Sequence, residues 1–106
     1  MKLLTKDLEY RFARLGRQED RGEEAIVVTK FFTPDSSWTW FCLEFDPETR
    51  EFFGLVEGHE VELGYFTLEE LESARGPLGL PIERDKFWRE TTLGEVRSML
   101  AKRRAS

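Results

Sequence analysis

Residues 38–45 read Trp-Thr-Trp-Phe-Cys-Leu-Glu-Phe, and this stretch decides the fold class. Because successive side chains of a β-strand point to opposite faces, the stretch separates into two sets. One set is Thr39, Phe41, Leu43 and Phe45, and the other is Trp38, Trp40, Cys42 and Glu44. Both sets are mostly apolar, whereas a strand with one wet face would alternate apolar and polar residues. The stretch therefore predicts a central strand of an antiparallel sheet, with helices over both faces or an exposed aromatic patch on one.

Three further segments have strand character, at residues 25–32, 51–56 and 61–66. The connections between the four segments are about four or five residues long, which suits hairpins and is too short for parallel crossovers. We therefore expect a four-stranded antiparallel meander in the order 1-2-3-4. Gly54 and Gly64 interrupt the third and fourth strands, and a tryptophan ring lying over a cross-strand glycine would explain both.

Capping signals place helices on either side of the strands. Thr5 and Gly16 bound a stretch with apolar residues at helical spacing, which predicts a first helix. Thr67 and Thr92 are each followed three positions later by a glutamate, the pattern of a capping box. The predicted helices thus lie at the N-terminus, after the fourth strand and at the C-terminus. The polar residues 17–24 contain no apolar side chain and predict an exposed, mobile loop.

The chain has 106 residues, so we expect one α+β domain over residues 1–106. Its apolar runs are far shorter than the ~20 residues that cross a bilayer, and its beginning lacks the apolar stretch of a signal peptide. The single cysteine, Cys42, has no second cysteine with which to form an internal disulfide. These features together predict a cytoplasmic protein that does not enter membranes.

The net charge of −5 is distributed unevenly along the chain. Residues 44–72 contain ten acidic residues and one arginine, whereas residues 75–106 contain eight basic and four acidic residues. Solvated faces of an ordinary domain would give this pattern, and so would an acidic surface that steers towards a basic partner. The predicted partner-binding residues are Glu44, Asp46, Glu48, Glu51, Glu57, Glu60, Glu62, Glu69 and Glu70.

Candidates for catalysis or metal binding are weak in this sequence. His59 lies in a turn, and nothing in the sequence places a nucleophile beside it. One histidine and one cysteine are too few for a typical zinc site. Glu83 and Asp85 would share a face of an extended segment, where they would either bind Mg²⁺ or Ca²⁺ or remain solvated or paired with arginine. We therefore expect no cofactor and favour a protein that is not an enzyme.

The aromatic strand also permits a different function. Single-stranded nucleic acids are held by aromatic rings that stack on bases and by cations that contact the backbone. Trp38 and Trp40, together with Arg75 and Arg84, would form such a surface and bind a single-stranded nucleic acid or a nucleotide. The competing interpretation is that both tryptophans are packed in the core.

Nine segments carry a resemblance to known sequences, at residues 1–5, 30–34, 38–40, 44–46, 52–56, 62–66, 71–72, 75–77 and 79–85. In these segments the chain resembles a family of short bacterial, plasmid and phage proteins known only as a domain of unknown function. The resemblance implies a setting on mobile elements, near replication, transfer or anti-defence functions. Combined with the acidic stretch, it leads to the hypothesis of a protein-interaction module. Its partner would be basic, such as a host nucleic-acid-binding or defence protein.

Overall fold

The computed structural model describes residues 2–105 of the chain. Its strands are β1 (Ile26–Val27), β2 (Thr29–Phe32), β3 (Thr39–Asp46), β4 (Glu51–Glu57), β5 (Val61–Thr67), β6 (Glu83–Arg84) and β7 (Thr91–Thr92). Its helices are α1 (Lys6–Leu15), α2 (Leu68–Ser73) and α3 (Leu93–Ala105), with a short 3₁₀ helix at Glu19–Glu24. Within this part of the chain, no helix combines the length and the apolar character that spanning a membrane requires.

The main sheet has five antiparallel strands in the order β5-β4-β3-β2-β6. The predicted meander corresponds to β2, β3, β4 and β5, so its antiparallel order is confirmed, but the predicted number of strands was one too low. The additional strand, β6, pairs with Phe31 and Phe32 of β2. Its sequence, Glu-Arg, carries no strand signal, and only the contact with β2 makes it part of the sheet.

The predicted strand at residues 25–32 is broken into β1 and β2 around Val28. β1 leaves the main sheet and pairs with β7 in a separate two-stranded sheet. Val28 stays attached to β3, because its N–H donates to the carbonyl of Cys42 at 2.9 Å. The break therefore directs one half of the predicted strand towards α3, which follows β7.

A β-bulge at Leu43 changes which side chains of β3 share a face. Leu43 is an extra residue, because its neighbours on both sides pair with consecutive residues of β4. Phe41 and Leu43 pack in one hydrophobic cluster, whereas Phe45 packs against the other cluster, to which Cys42 belongs. The predicted alternation, which placed Phe45 with Phe41 and Leu43, was therefore wrong beyond the bulge.

Helices cover both faces of the main sheet, which was one of the two predicted arrangements. The first face carries Phe31 and Phe52, and residues of α1 and α2 pack against it. The second face carries Phe41 and Leu55, and it is covered by residues of α3. The α3 residues in this contact are Leu93, Val96 and Leu100. The molecule thus has three layers, with a hydrophobic cluster on each side of one sheet.

The three helices begin at the predicted caps. Thr5, Thr67 and Thr92 each precede a helix, and the hydroxyl of each accepts the backbone N–H of the residue three positions later. Gly16 ends α1 at φ 62°, a left-handed conformation that glycine adopts without steric cost. Local hydrogen bonding therefore fixes the helix boundaries that the sequence predicted.

The prediction of an exposed loop at residues 17–24 was wrong for Gln18, which is only 2% exposed. The amide nitrogen of Gln18 donates to the carbonyls of Ile26 at 2.9 Å and Leu43 at 2.7 Å. Its Oε1 accepts the N–H of Ile26 at 2.7 Å. One side chain thus joins β1 to the bulge of β3. A single buried glutamine among charged residues leaves no apolar signal, which is why the sequence pattern missed it.

The stretch after α2, residues 75–88, is buried only in part. Residues 75–81 form a loop closed onto itself, and Oδ2 of Asp35 accepts the N–H groups of Leu78 and Leu80 at 2.8 and 3.3 Å. The sequence predicts burial of the large apolar side chains Ile82, Phe87 and Trp88. Ile82 is buried and Trp88 half-buried, but Phe87 is 92% exposed. The indole N–H of Trp88 donates to the carbonyl of Val27 in β1 at 3.0 Å, whereas the adjacent Phe87 faces solvent.

Gly54 and Gly64 face each other across β4 and β5, yet neither is covered by a tryptophan ring. A Cβ on Gly54 would lie 2.1 Å from the carbonyl oxygen of Phe41, whereas a Cβ on Gly64 would meet nothing within 4 Å.

We expect Gly54→Ala to lower the free energy of unfolding by ~2 kcal/mol or more, because the β3 backbone must move. Gly64→Ala is the matched control and should be neutral or slightly stabilising. Urea denaturation monitored by circular dichroism measures both, and equal transition midpoints would contradict the expectation.

Gln18→Met tests the buried amide. Methionine has a similar length and volume, but it leaves the N–H and carbonyl of Ile26 and the carbonyl of Leu43 without their side-chain partner. We expect a loss of at least ~2 kcal/mol in the free energy of unfolding, because buried backbone groups without partners are costly. Arg17→Met, at the neighbouring exposed position, should change it by less than ~0.5 kcal/mol. Equal stability of the two variants in urea denaturation would refute the role assigned to Gln18.

Candidate functional site

The acidic stretch at residues 44–72 folds into one end of the molecule, formed by the end of β3, β4, β5 and α2. β5 is the outermost strand of the sheet, so one of its edges faces away from the other strands. Within residues 2–105, every backbone-to-backbone hydrogen bond made by residues 61–66 is with β4. Glu60 and Glu62 therefore lie at an open strand edge, whereas Asp46 and Glu48 lie at the turn between β3 and β4.

Two of the predicted partner-binding residues are engaged inside the protein. Oε2 of Glu44 accepts the backbone N–H of Gln18 at 2.8 Å. Glu57 forms an ion pair with Arg103 of α3 at 3.2 Å, and only 16% of its side chain is exposed. These contacts give both carboxylates a part in holding the protein's own elements together.

Two other predicted residues stabilise local structure. Oδ1 of Asp46 accepts the N–H of Glu48 in the turn after β3 at 2.9 Å. Glu70 completes the capping box at the start of α2. Both side chains are nevertheless exposed.

The other five predicted residues make no side-chain hydrogen bond or ion pair with any part of the chain that the structure describes. They are Glu48, Glu51, Glu60, Glu62 and Glu69. All except the half-buried Glu51 are exposed. Their negative charge is therefore available to a partner.

Trp38 stands beside this open edge and is held by three contacts. Its ring stacks on that of Trp40, with the ring centroids 6.0 Å apart and the planes at 30°. It also makes a T-shaped contact with the ring of His59, with the centroids 5.5 Å apart. Gly58 lies against the ring, since a Cβ there would be 2.4 Å from it. A tryptophan over a glycine thus does occur, but at the turn glycine rather than at the strand glycines predicted for it. Both tryptophans are half-buried, which is intermediate between the two sequence-based interpretations.

A groove of about 560 Å³ opens next to Trp38. Its wall is formed by Trp38 and His59, and Glu60 and Glu62 also line it. Gly64 lies on its floor, where the absent side chain leaves open space. The groove thus combines an aromatic surface with two carboxylates that have no ion-pair partner among the described residues.

The arginines of the alternative nucleic-acid surface bind backbone carbonyls of the protein itself. Nη1 of Arg84 donates to the carbonyls of Lys2 and Leu3, and Nη1 of Arg75 donates to those of Ala74 and Glu72. The groove that Trp38 lines contains carboxylates and, among residues 2–105, no arginine. Neither guanidinium contributes to the groove at Trp38.

The carboxylates of Glu83 and Asp85 do not form a metal centre with other ligands. Asp85 lies 3.8 Å from the ammonium of Lys30, and its Oδ1 accepts the N–H of Phe87 at 2.9 Å. Within residues 2–105, no three His, Cys, Asp or Glu side chains are grouped so that they could hold a metal ion. His59 is exposed, and the structure brings it to Trp38 rather than to a nucleophile.

Cys42 is fully buried, and this burial raises the pKa of its thiol well above the usual range. Since the thiolate is the reactive form, we expect native Cys42 to resist a thiol reagent such as a disulfide dye. Labelling should become rapid once urea unfolds the protein, and Gln18→Met should accelerate it in native buffer. Absorbance of the released dye measures the rate. Native labelling as fast as that of free cysteine would contradict the expectation.

Comparison with known proteins gives one family match. No curated protein and no solved structure matches the chain. A family model described as "Protein of unknown function (DUF2958)" matches residues 3–103, which include every strand and almost all of α3. The predicted resemblance to a family of unknown function is confirmed. The chain belongs to the DUF2958 family.

Proposed function

We propose that this protein is a non-enzymatic interaction module whose acidic end binds a basic protein partner. The observation that supports the proposal is the open edge of β5 with its unpaired carboxylates. Glu60 and Glu62 are exposed there and form no ion pair within residues 2–105. Charges that the protein's own cations do not neutralise contribute to the field that an approaching surface meets, most strongly at low salt.

One internal ion pair lies at the acidic end and another lies near the opposite edge of the sheet. Arg103 approaches Glu57 from α3. Lys30 approaches Asp85 near the opposite edge of the sheet. Glu57 is thus neutralised by α3, whereas Glu60 and Glu62 have no ion-pair partner within residues 2–105, and their charges favour a polarised encounter with a basic partner.

The class of partner follows from the charge pattern and from the family setting. A protein surface that binds nucleic acid is basic, because its lysines and arginines contact the negatively charged phosphates. Carboxylates along a strand edge present negative charge to the same surface. A host nucleic-acid-binding or defence protein would then lose access to its nucleic acid, an outcome that suits a protein of mobile elements.

The alternative function, binding of single-stranded nucleic acid or nucleotides by Trp38 and Trp40, requires a different arrangement. Arg75 and Arg84 would have to leave the carbonyls that they now bind. The phosphates would also have to approach the carboxylates that line the groove at Trp38. A fluorescence titration with labelled single-stranded DNA and RNA at low salt tests this alternative, and we expect no binding.

The protein-interaction proposal is tested by affinity capture with two charge-reversed baits. Glu60→Lys/Glu62→Lys changes the acidic edge, and Asp20→Lys/Glu24→Lys makes the same change in net charge on the exposed 3₁₀ helix. We expect wild type and the control to retain a basic bacterial protein at low salt and to release it at high salt. The edge variant should retain it at least about tenfold less well, because complementary charges steer and hold the encounter.

Circular dichroism of both baits establishes that the substitutions leave the fold intact. Three outcomes would overturn the proposal: recovery of no basic partner by wild type, recovery that does not respond to salt, or equal loss in the two variants. Binding of single-stranded nucleic acid that depends on Trp38 would favour the alternative instead.

A further inference from the structure

We infer that β5 receives an extended basic segment of the partner as a sixth strand of the main sheet. The cationic side chains of that segment would point into the groove beside Trp38, and its alternate, apolar side chains would lie on the opposite face. The inference rests on the proposed function and specifies how the basic partner is recognised.

The first argument is that the β5 edge carries few of the features that normally block pairing with another chain, since its one charged residue is Glu62. Natural edge strands are short or carry lysine, proline or a bulge. β5 is seven residues long, contains neither lysine nor proline and pairs with β4 in a continuous register. The opposite edge of the sheet, β6, has only two residues. An open edge is therefore found on one side of the sheet, and it is the acidic side.

The second argument is the difference between the two faces of β5. Glu62 and Gly64 share the first face, because their partners on β4 face the first hydrophobic cluster. Leu63 and Tyr65 share the second face, and they are 42% and 69% exposed. An added strand would therefore contact the carboxylate of Glu62 on one face and the side chains of Leu63 and Tyr65 on the other. Because side chains of a strand alternate, the matching sequence alternates cationic and apolar residues.

The groove on the first face suits a guanidinium or ammonium group. Trp38 offers an aromatic surface for a cation, and the carboxylates of Glu60 and Glu62 line the same groove. The open space above Gly64 leaves room for a long side chain to cross the strand. A cation here would gain both a ring contact and a charge-assisted hydrogen bond.

The second face offers an oriented apolar contact. The ring of Tyr65 packs on Phe53 of β4, with centroids 4.9 Å apart. This contact holds the exposed tyrosine over the sheet, beside Leu63. Apolar side chains of an added strand would cover both residues and remove them from water.

Charge decides between a basic partner and a second copy of this chain. Pairing two β5 edges would join two negatively charged strands, because residues 60–66 contain Glu60 and Glu62 and no lysine or arginine. Like charges on neighbouring strands are unfavourable. A basic segment converts the same positions into attractive contacts, so we assign the edge to the partner.

The experiment uses two octapeptides of equal composition, titrated against the full chain by calorimetry. One alternates arginine and valine, and the other has all its arginines first and all its valines after them. We expect the alternating peptide to bind at least about tenfold more tightly, because only it presents cations to one face and apolar residues to the other. Glu62→Gln should remove most of that preference, whereas Glu24→Gln, on the distant 3₁₀ helix, should leave it unchanged.

Two N-methylated forms of the alternating peptide report on backbone pairing. In an antiparallel ladder only every second N–H of a strand points to its neighbour. Methylation of one alternate set should therefore abolish binding, and methylation of the other should preserve it. Equal binding of both methylated forms, or of the two parent peptides, would overturn strand addition.

The result also separates this inference from the function on which it rests. If wild-type bait captures a basic protein that the edge variant loses, but neither octapeptide binds, strand addition is refuted and the interaction module stands. If wild-type bait captures no basic protein, the proposed function is refuted. Binding of the alternating peptide with the expected methylation pattern supports strand addition by itself.

Discussion

The fold depends on how the backbone of β3 is satisfied at its bulge. A buried backbone group without a partner is costly, so the extra residue Leu43 requires a substitute for its missing ladder contact. Gln18 supplies this contact, because its amide nitrogen donates to the carbonyl of Leu43. The same side chain also donates to the carbonyl of Ile26 and accepts the N–H of Ile26. β1 is thereby held away from the main sheet and pairs with β7. The N–H of Leu93 then donates to the carbonyl of Ala25 at 2.8 Å, which attaches the start of α3 to this arrangement.

The two edges of the main sheet are unequal. At one edge, β6 is short and is followed by the hydrogen bond and ion pair between Asp85 and Lys30. At the other edge, β5 is long, and within residues 2–105 its backbone pairs only with β4. Helices pack on both faces of the sheet, but Leu63 and Tyr65 of β5 remain exposed beside the open edge. Glu60 and Glu62 lie at that edge and have no ion-pair partner within residues 2–105.

The sequence predicted the candidate site only in outline. The excess of carboxylates at residues 44–72 was evident from composition, but their division into internal and available charges was not. Glu44 and Glu57 are acidic residues of the same stretch as Glu60 and Glu62, yet they bind Gln18 and Arg103. Those partners lie 26 and 46 residues away in the chain, and no local pattern indicates such distant contacts. The groove at Trp38 was missed for a similar reason, since it depends on a turn glycine packing against the ring.

By itself, the sequence determined the features that arise within a few neighbouring residues. Threonine caps, strand alternation and short hairpin connections each depend on local geometry, so the three helices and the antiparallel order were predictable. Only the tertiary structure decided the bulge at Leu43, the burial of Gln18, the bond from Trp88 to Val27 and the pairing of β6. Each of these depends on a backbone group in a distant segment, and a hydrogen bond to such a group leaves no periodic pattern in the residues that make it.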